Sequence, residues 1–69
     1  MDKEYILGTI MLAIHERTDA LKERQEKAKE NIKTASDDED FGYWVESFNY
    51  WSKAVKDCQE AEKFILNLA

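Results

Sequence analysis

The sequence predicts an all-α protein: an antiparallel helical hairpin of two long helices that self-associates into a four-helix bundle or a larger helical oligomer. Three observations support this fold class. The 69 residues include no proline and 36% charged residues, a composition typical of long helices. Apolar residues recur at alternating intervals of four and three along both halves of the chain. A run of acidic residues between the halves predicts a turn.

The chain is predicted to form one domain, residues 1–69, because it is too short for two hydrophobic cores. The first helix is expected over about residues 3–34, an acidic turn over about 35–40, and the second helix over about 41–67. A chain this short usually needs a disulfide, a metal or a partner subunit for stability. Cys58 is the only cysteine and His15 the only histidine, so we expect no disulfide and no metal site. Self-association is the expected alternative.

The first helix carries a heptad pattern of apolar and small residues over about four repeats. This pattern is typical of a helix that packs lengthwise on another helix. The charged residues between these positions have mixed signs, so we expect them to solvate the outer face. The patterned face consists of Leu7, Met11, Ile14, Thr18, Leu21, Gln25, Ala28, Ile32 and Ala35.

The second helix is organised around an aromatic segment, residues 41–51, which holds both tryptophans. Glu62 lies on the apolar line of this helix, where an unpaired carboxylate would be costly to bury. Either the bundle opens towards its ends, or Glu62 pairs with a cation such as Lys3 or Arg17. The apolar line itself consists of Trp44, Phe48, Trp51, Val55, Cys58 and Ile65.

The start of the second helix is predicted from the acidic run. Ser36 and Glu39 match a capping box, and acidic side chains are stabilising beside a helix N-terminus. The helix therefore begins near Asp37, or near Asp40 if the acidic residues form a longer loop. Gly42 favours the later start, because glycine inside a helix costs about 1 kcal/mol relative to alanine.

Antiparallel pairing about this turn predicts which residues of the two helices are neighbours. Small residues on one helix then face large residues on the other, as a packed core requires. The expected neighbours are Ala28 with Trp44, Gln25 with Phe48, Leu21 with Trp51, Ile14 with Cys58, and Leu7 with Phe64 and Ile65.

Apolar residues cover nearly half the circumference of the second helix, more than one neighbouring helix can bury. Pairing two hairpins into a bundle would cover this wide arc. The predicted oligomer core consists of Leu7, Met11, Ile14, Leu21, Ala28, Trp44, Phe48, Trp51, Val55, Cys58 and Ile65. The candidate partner surface consists of Tyr5, Leu12, Asp37, Asp38, Glu39, Asp40, Tyr43 and Tyr50.

Residue types and spacings typical of active sites do not occur in this sequence, so we expect no enzyme and no cofactor. His15 is predicted to be structural or solvated, and Cys58 to be a small buried hydrophobic residue. The acidic turn lacks the ligand spacing of a calcium loop.

The net charge of −5 argues against non-specific binding to nucleic acid or anionic lipid. The apolar run at residues 6–14 is too short to span a bilayer and lacks the features of a secretion signal.

These features favour a small non-enzymatic protein-binding module of the inhibitor or adaptor type, such as phages and mobile elements encode. We expect it to act in the cytoplasm, of a cell or of an infected host, through the surface of a homodimer or higher homo-oligomer. The alternatives are a nucleic-acid-binding regulator, an acidic nucleic-acid mimic that uses the turn, and a structural subunit of a larger assembly.

In fold, length and acidity the chain resembles the dimeric helical-hairpin bundle of the plasmid regulator Rop, although no motif is shared. Function does not follow from fold alone. The resemblance implies RNA binding across one face of a bundle. The basic residues available for it are Arg17, Lys22, Arg24, Lys27, Lys29 and Lys33.

Overall fold

A computed structural model describes residues 2–68 and shows two helices packed against each other as a hairpin. Helix α1 spans Lys3–Lys33 and helix α2 spans Asp38–Leu68, each of 31 residues. The all-α hairpin predicted from the sequence is confirmed. Met1 and Ala69, which the single-domain prediction includes, lie outside the described residues.

Helix α1 begins with a side-chain cap and ends without a left-handed residue. The Asp2 carboxylate accepts a hydrogen bond from the Glu4 backbone N–H at 3.0 Å, which satisfies one of the unpaired donors at the helix start. At the other end, the Ala35 N–H donates to the Ile32 carbonyl at 3.4 Å. No residue between 2 and 68 has a positive φ, so the connection between the helices does not depend on glycine.

Helix α2 begins at Asp38, about three residues before the predicted start at residue 41. Gly42 therefore lies inside the helix. The reason is electrostatic, because Asp38, Glu39 and Asp40 occupy the first turn, where the helix dipole stabilises negative charge. Three such residues, at roughly 0.3–1 kcal/mol each, outweigh the cost of about 1 kcal/mol for one glycine.

The predicted capping box of Ser36 with Glu39 is wrong. The cap of α2 lies one residue later, at Asp37. The Asp37 carboxylate accepts from the Asp40 backbone N–H at 2.7 Å. The Asp40 carboxylate in turn accepts from the Ser36 backbone N–H at 3.4 Å. Aspartate caps a helix as well as serine does, and a cap at Asp37 extends the helix through the acidic run.

The hydrophobic core is a thin seam between the two helices. Only Thr18, Leu21, Ala28 and Val55 are buried among the described residues. The other predicted core residues are half-buried, so every one of them packs along the seam. Their part in an oligomer core stays a prediction. The hairpin measures 55 × 15 × 13 Å, and neither of its helices is long and apolar enough to cross a membrane.

Two polar contacts define how the helices are aligned. The Gln25 side-chain amide donates to the Ser52 hydroxyl at 2.9 Å, and the Arg24 guanidinium lies 4.9 Å from the centre of the Trp51 ring. Gln25 thus bonds one turn beyond Phe48, its predicted neighbour. Side chains lean towards the N-terminus of their own helix, so those of α1 lean away from the turn and those of α2 lean towards it.

Candidate interaction surfaces

Ten large hydrophobic side chains are exposed in the described part of the chain, from 39% for Ile6 to 72% for Tyr5. Single exposed hydrophobic residues are normal, whereas contiguous groups mark interaction sites. Whether these ten residues form contiguous groups on the hairpin therefore decides whether they mark an interaction site. They are Tyr5, Ile6, Ile10, Leu12, Phe41, Tyr43, Tyr50, Phe64, Leu66 and Leu68.

Six of the ten lie on one side of the hairpin, in the heptad rows centred about 100° from the seam. The corresponding rows of antiparallel helices fall on the same side, and here Arg24 of the α1 row lies over Trp51, the seam residue whose ring meets Tyr50 of the α2 row. We name this surface the aromatic face. It consists of Ile6, Ile10, Ala13, Arg17, Ala20, Arg24 and Lys27 on α1, and Tyr43, Ser47, Tyr50, Ala54, Asp57, Ala61, Phe64 and Leu68 on α2.

The aromatic face contains a groove near the turn. Tyr43 and Trp44 meet edge to face, with ring centres 4.9 Å apart, and Tyr50 and Trp51 repeat this geometry at 4.8 Å. Edge-to-face pairs are favourable and hold the rings in defined positions. Ser47, a small residue between the two pairs, lines a shallow cleft of about 370 Å³. The result is a groove with aromatic walls, which Glu46 also lines.

A second apolar surface lies at the end of the hairpin away from the turn. Tyr5, Leu12 and Leu66 are 72%, 60% and 60% exposed. Gly8 lies between Tyr5 and Leu12 on the same stripe of α1. A cleft of about 410 Å³ beside it is lined by Lys3, Glu4, Gly8, Leu66 and apolar residues of the seam. We name this the open-end surface, consisting of Tyr5, Gly8, Leu12 and Leu66.

His15 lies beside Glu62, on the side of the hairpin that carries the open-end surface. The His15 Nδ1 is 3.7 Å from the Glu62 carboxylate, and its Nε2 is 3.9 Å from the Asp19 carboxylate. Both distances exceed a hydrogen bond. The predicted pairing of Glu62 with Lys3 or Arg17 does not occur, because Glu62 faces the opposite side of the seam from the row of Arg17. Within residues 2–68, His15 is the one Lys, Arg or His side chain within 4 Å of the Glu62 carboxylate.

Two of the four carboxylates in the acidic turn accept backbone hydrogen bonds that cap helix α2. Asp37 and Asp40 accept backbone hydrogen bonds at the start of α2, while Asp38 and Glu39 are exposed. Within residues 2–68, no group of three or more His, Cys, Asp or Glu side chains is arranged to hold a metal ion. Cys58 is a free thiol on the seam that is half-buried, less than the full burial predicted for it.

The structure distributes the predicted partner residues over three separate places. Tyr43 and Tyr50 lie on the aromatic face, Tyr5 and Leu12 on the open-end surface, and the acidic residues at the turn. Six exposed hydrophobic residues are absent from the candidate surface predicted from the sequence: Ile6, Ile10, Phe41, Phe64, Leu66 and Leu68. All but Phe41 occupy heptad positions beside the seam that could have identified them. Comparison of the chain with protein-family models, curated proteins and solved structures found no match.

Proposed function

We propose that this chain is a small non-catalytic protein-binding module that self-associates through its helices and presents its remaining surface to a protein partner. The observation that carries the proposal is the amount of apolar surface that a single hairpin leaves uncovered. Three hydrophobic residues are buried and ten large ones are exposed in the described chain.

The size of the exposed surface supports self-association. The hairpin has an accessible area of 5591 Å², whereas a compact protein of 8.1 kDa exposes about 4,500 Å². The difference, about 1,100 Å², is similar to the roughly 800 Å² that each partner contributes to a standard protein interface. One further copy of the chain therefore has enough area to cover the excess.

The two apolar surfaces differ in shape, and this difference assigns them different roles. The aromatic face follows the long axis of the hairpin and suits lengthwise packing of helices. The open-end surface is short, with three exposed side chains, Tyr5, Leu12 and Leu66, beside a glycine and a cleft. Exposed tyrosine and leucine beside a cleft are suited to anchor a partner, because binding energy concentrates in a few buried side chains. The open-end surface is therefore our candidate for the protein partner.

Light scattering across a dilution series tests the self-association. We expect a mass of about 16 kDa, twice the 8.1 kDa of one chain, or a higher multiple. A double variant, Tyr43→Ser with Tyr50→Ser, should shift the protein towards monomer. The matched control, Tyr5→Ser with Leu12→Ser, removes similar apolar area from the open-end surface and should keep the mass. A monomer for the unaltered chain at every concentration would refute the proposal, and loss of assembly in the control would reverse the two roles.

Nucleic-acid binding is the second candidate, because all six basic residues named above for α1 are exposed. Acidic residues such as Asp19, Glu23 and Glu26 lie between them and weaken the local positive potential. The two candidates differ in their dependence on salt. Binding to phosphates through Lys and Arg weakens steeply as salt is added, whereas binding of an apolar protein segment changes little. A titration of RNA and duplex DNA at two salt concentrations distinguishes them.

A further inference from the structure

We infer that the aromatic face is covered by a second copy of this chain, with both turns at the same end, so that α1 of each copy lies on α2 of the other. This inference rests on the self-association proposed above. It adds the face that is used, the molecule that occupies it and the arrangement of the two copies.

The position of the aromatic face matches the geometry of a four-helix bundle. Each helix of such a bundle has two neighbours at approximately right angles. The seam provides the first neighbour, and the rows of the aromatic face are centred about 100° away from it on both helices. The same side of each helix is therefore available to a second hairpin, along the full length of the helices.

A twofold dimer through this face has two arrangements. If the twofold axis is parallel to the helices, α1 lies on α2 of the partner subunit and both turns are at one end. If the axis is perpendicular, α1 lies on α1 and the turns are at opposite ends. The parallel axis allows no sliding, because it keeps both copies at the same height. The contacts of Arg24 with Trp51 and of His15 with Glu62 align α1 with α2 to within about one helical turn, and residues of the two helices that match to this extent are level.

With both copies at the same height, the row of α1 in one copy and the facing row of α2 in the other are complementary in charge. Arg17 is level with Asp57 of the partner subunit, and both residues are exposed in the single hairpin. Within residues 2–68, neither lies within ion-pair distance of an opposite charge. Arg24 is level with Tyr50 of the partner subunit, so its guanidinium, already against its own Trp51, would meet a second ring.

The same height also matches the sizes of the facing side chains. Ile10 is level with Phe64 of the partner subunit, so large apolar residues meet at the open end. Ala20 is level with Ala54 of the partner subunit, so the helices can approach closely at the middle. The distance between two packed helices depends on the side chains at the contact, so the small pair allows a short distance at the middle and the large pair fills a wider one at the open end.

The perpendicular axis gives poorer electrostatics. It places the row of α1 that carries Arg17, Arg24 and Lys27 against the same row of the other copy. Like charges that face each other across an interface are unfavourable by up to several kcal/mol. It also places α2 of one copy against α2 of the other, so that Asp57 lies away from these three cations. The arrangement with both turns at one end is therefore preferred.

Distance measurement between spin labels tests the arrangement. A single cysteine at the turn, Ser36→Cys in a Cys58→Ala background, is labelled and measured by double electron–electron resonance. With both turns at one end, we expect a separation of about 20–30 Å, set by the width of two helices and the labels. With turns at opposite ends, it would approach the 55 Å length of the hairpin. Lys53→Cys, near the middle of the outer face of α2, is the matched control, since both arrangements give it similar distances.

The outcomes separate this inference from the proposed function. A dimer with a long distance at the turn overturns the arrangement and leaves self-association intact. A monomeric mass with no dipolar signal overturns both. A short distance, together with dimeric mass, supports both.

Charge reversal tests the contact between Arg17 and Asp57 of the partner subunit. Each single variant, Arg17→Asp or Asp57→Arg, places two like-charged contacts in the dimer and should weaken dimerisation about tenfold. The double variant restores opposite charges and should recover to within about threefold of the unaltered chain. Glu16→Arg on the outer row is the control and should have no effect. Failure of the double variant to recover, with helix content retained in circular dichroism, would overturn the contact.

Discussion

Among single residues, Glu62 fits its surroundings least well. It occupies the apolar seam of α2 with its side chain 29% exposed, and His15 approaches it no closer than 3.7 Å. A carboxylate in this position loses hydration without gaining a short hydrogen bond. We expect Glu62→Leu to raise the free energy of unfolding by about 1 kcal/mol, because leucine would extend the packed seam. Chemical denaturation followed by circular dichroism measures this change.

The control for this change is Glu60→Leu on the exposed outer row of α2, which should leave the free energy of unfolding unchanged. A loss of stability in Glu62→Leu would contradict the argument. It would mean that the contact with His15 contributes more to the folded state than apolar packing at the same position.

Residue contacts were only partly predictable from the sequence. Heptad spacing identified the seam, because burial of one helix face imposes a period near 3.6 residues. It did not identify the bond between Gln25 and Ser52 or the position of Arg24 on Trp51. Both depend on how far a long side chain leans along its helix, and this offset does not appear in the spacing of apolar residues.

Among the structural elements, the start of α2 offers a direct test of its cap. The Asp37 carboxylate accepts the Asp40 N–H at 2.7 Å, whereas Ser36 contributes only its backbone N–H to this network. Asp37→Ala should therefore lower the free energy of unfolding by about 1 kcal/mol, and Ser36→Ala should have a much smaller effect. Thermal unfolding of both variants measures the difference. A larger cost for Ser36→Ala would restore the cap predicted from the sequence.

The glycine inside α2 provides a second test at this scale. A Cβ built on Gly42 meets no atom within 4 Å in the hairpin. Gly42→Ala should therefore raise the free energy of unfolding by about 1 kcal/mol, because alanine restricts the unfolded chain and favours the helix. Gly8, which is equally open, is the matched comparison in α1. If Gly42→Ala destabilises the protein while Gly8→Ala stabilises it, another chain packs closely against Gly42.

Element boundaries were less predictable than the elements themselves. Both helices follow from about four heptads of consistent pattern, which no alternative structure satisfies. The start of α2 depended on whether Ser36 or Asp37 is the cap, and these residue types differ little in capping energy. Small local differences of this kind decide a boundary by a few residues, and the sequence pattern alone does not resolve them.

At the scale of the whole molecule, the sequence predicted a surplus of apolar surface but not its division into two surfaces. The wide arc on α2 indicated the aromatic face, since Tyr43 and Tyr50 lie beside the tryptophans. The contribution of Ile6 and Ile10 to the same face follows only when the helices are aligned. Which residues are level with one another depends on the length of the connection at residues 34–37, and the sequence left that length open between a start of α2 near Asp37 and one near Asp40.

The thin core leads to a final prediction about folding of the whole molecule. Leu21, Ala28 and Val55 are the only buried hydrophobic residues in the described chain, and so small a core rarely stabilises an isolated hairpin. If dimerisation supplies the missing burial, unfolding and dissociation occur together. The midpoint of thermal unfolding should then rise with chain concentration, by about 5 °C for a tenfold increase.

Thermal unfolding followed by circular dichroism over a hundredfold range of concentration measures this dependence. The Tyr43→Ser, Tyr50→Ser variant should unfold at a lower midpoint and lose the dependence, because its aromatic face cannot bury a second copy. The Tyr5→Ser, Leu12→Ser variant should retain it. A midpoint that is independent of concentration in the unaltered chain would show that one hairpin is stable alone. The aromatic face would then be free to bind a different protein, and its edge-to-face rings would become the first candidate for that contact.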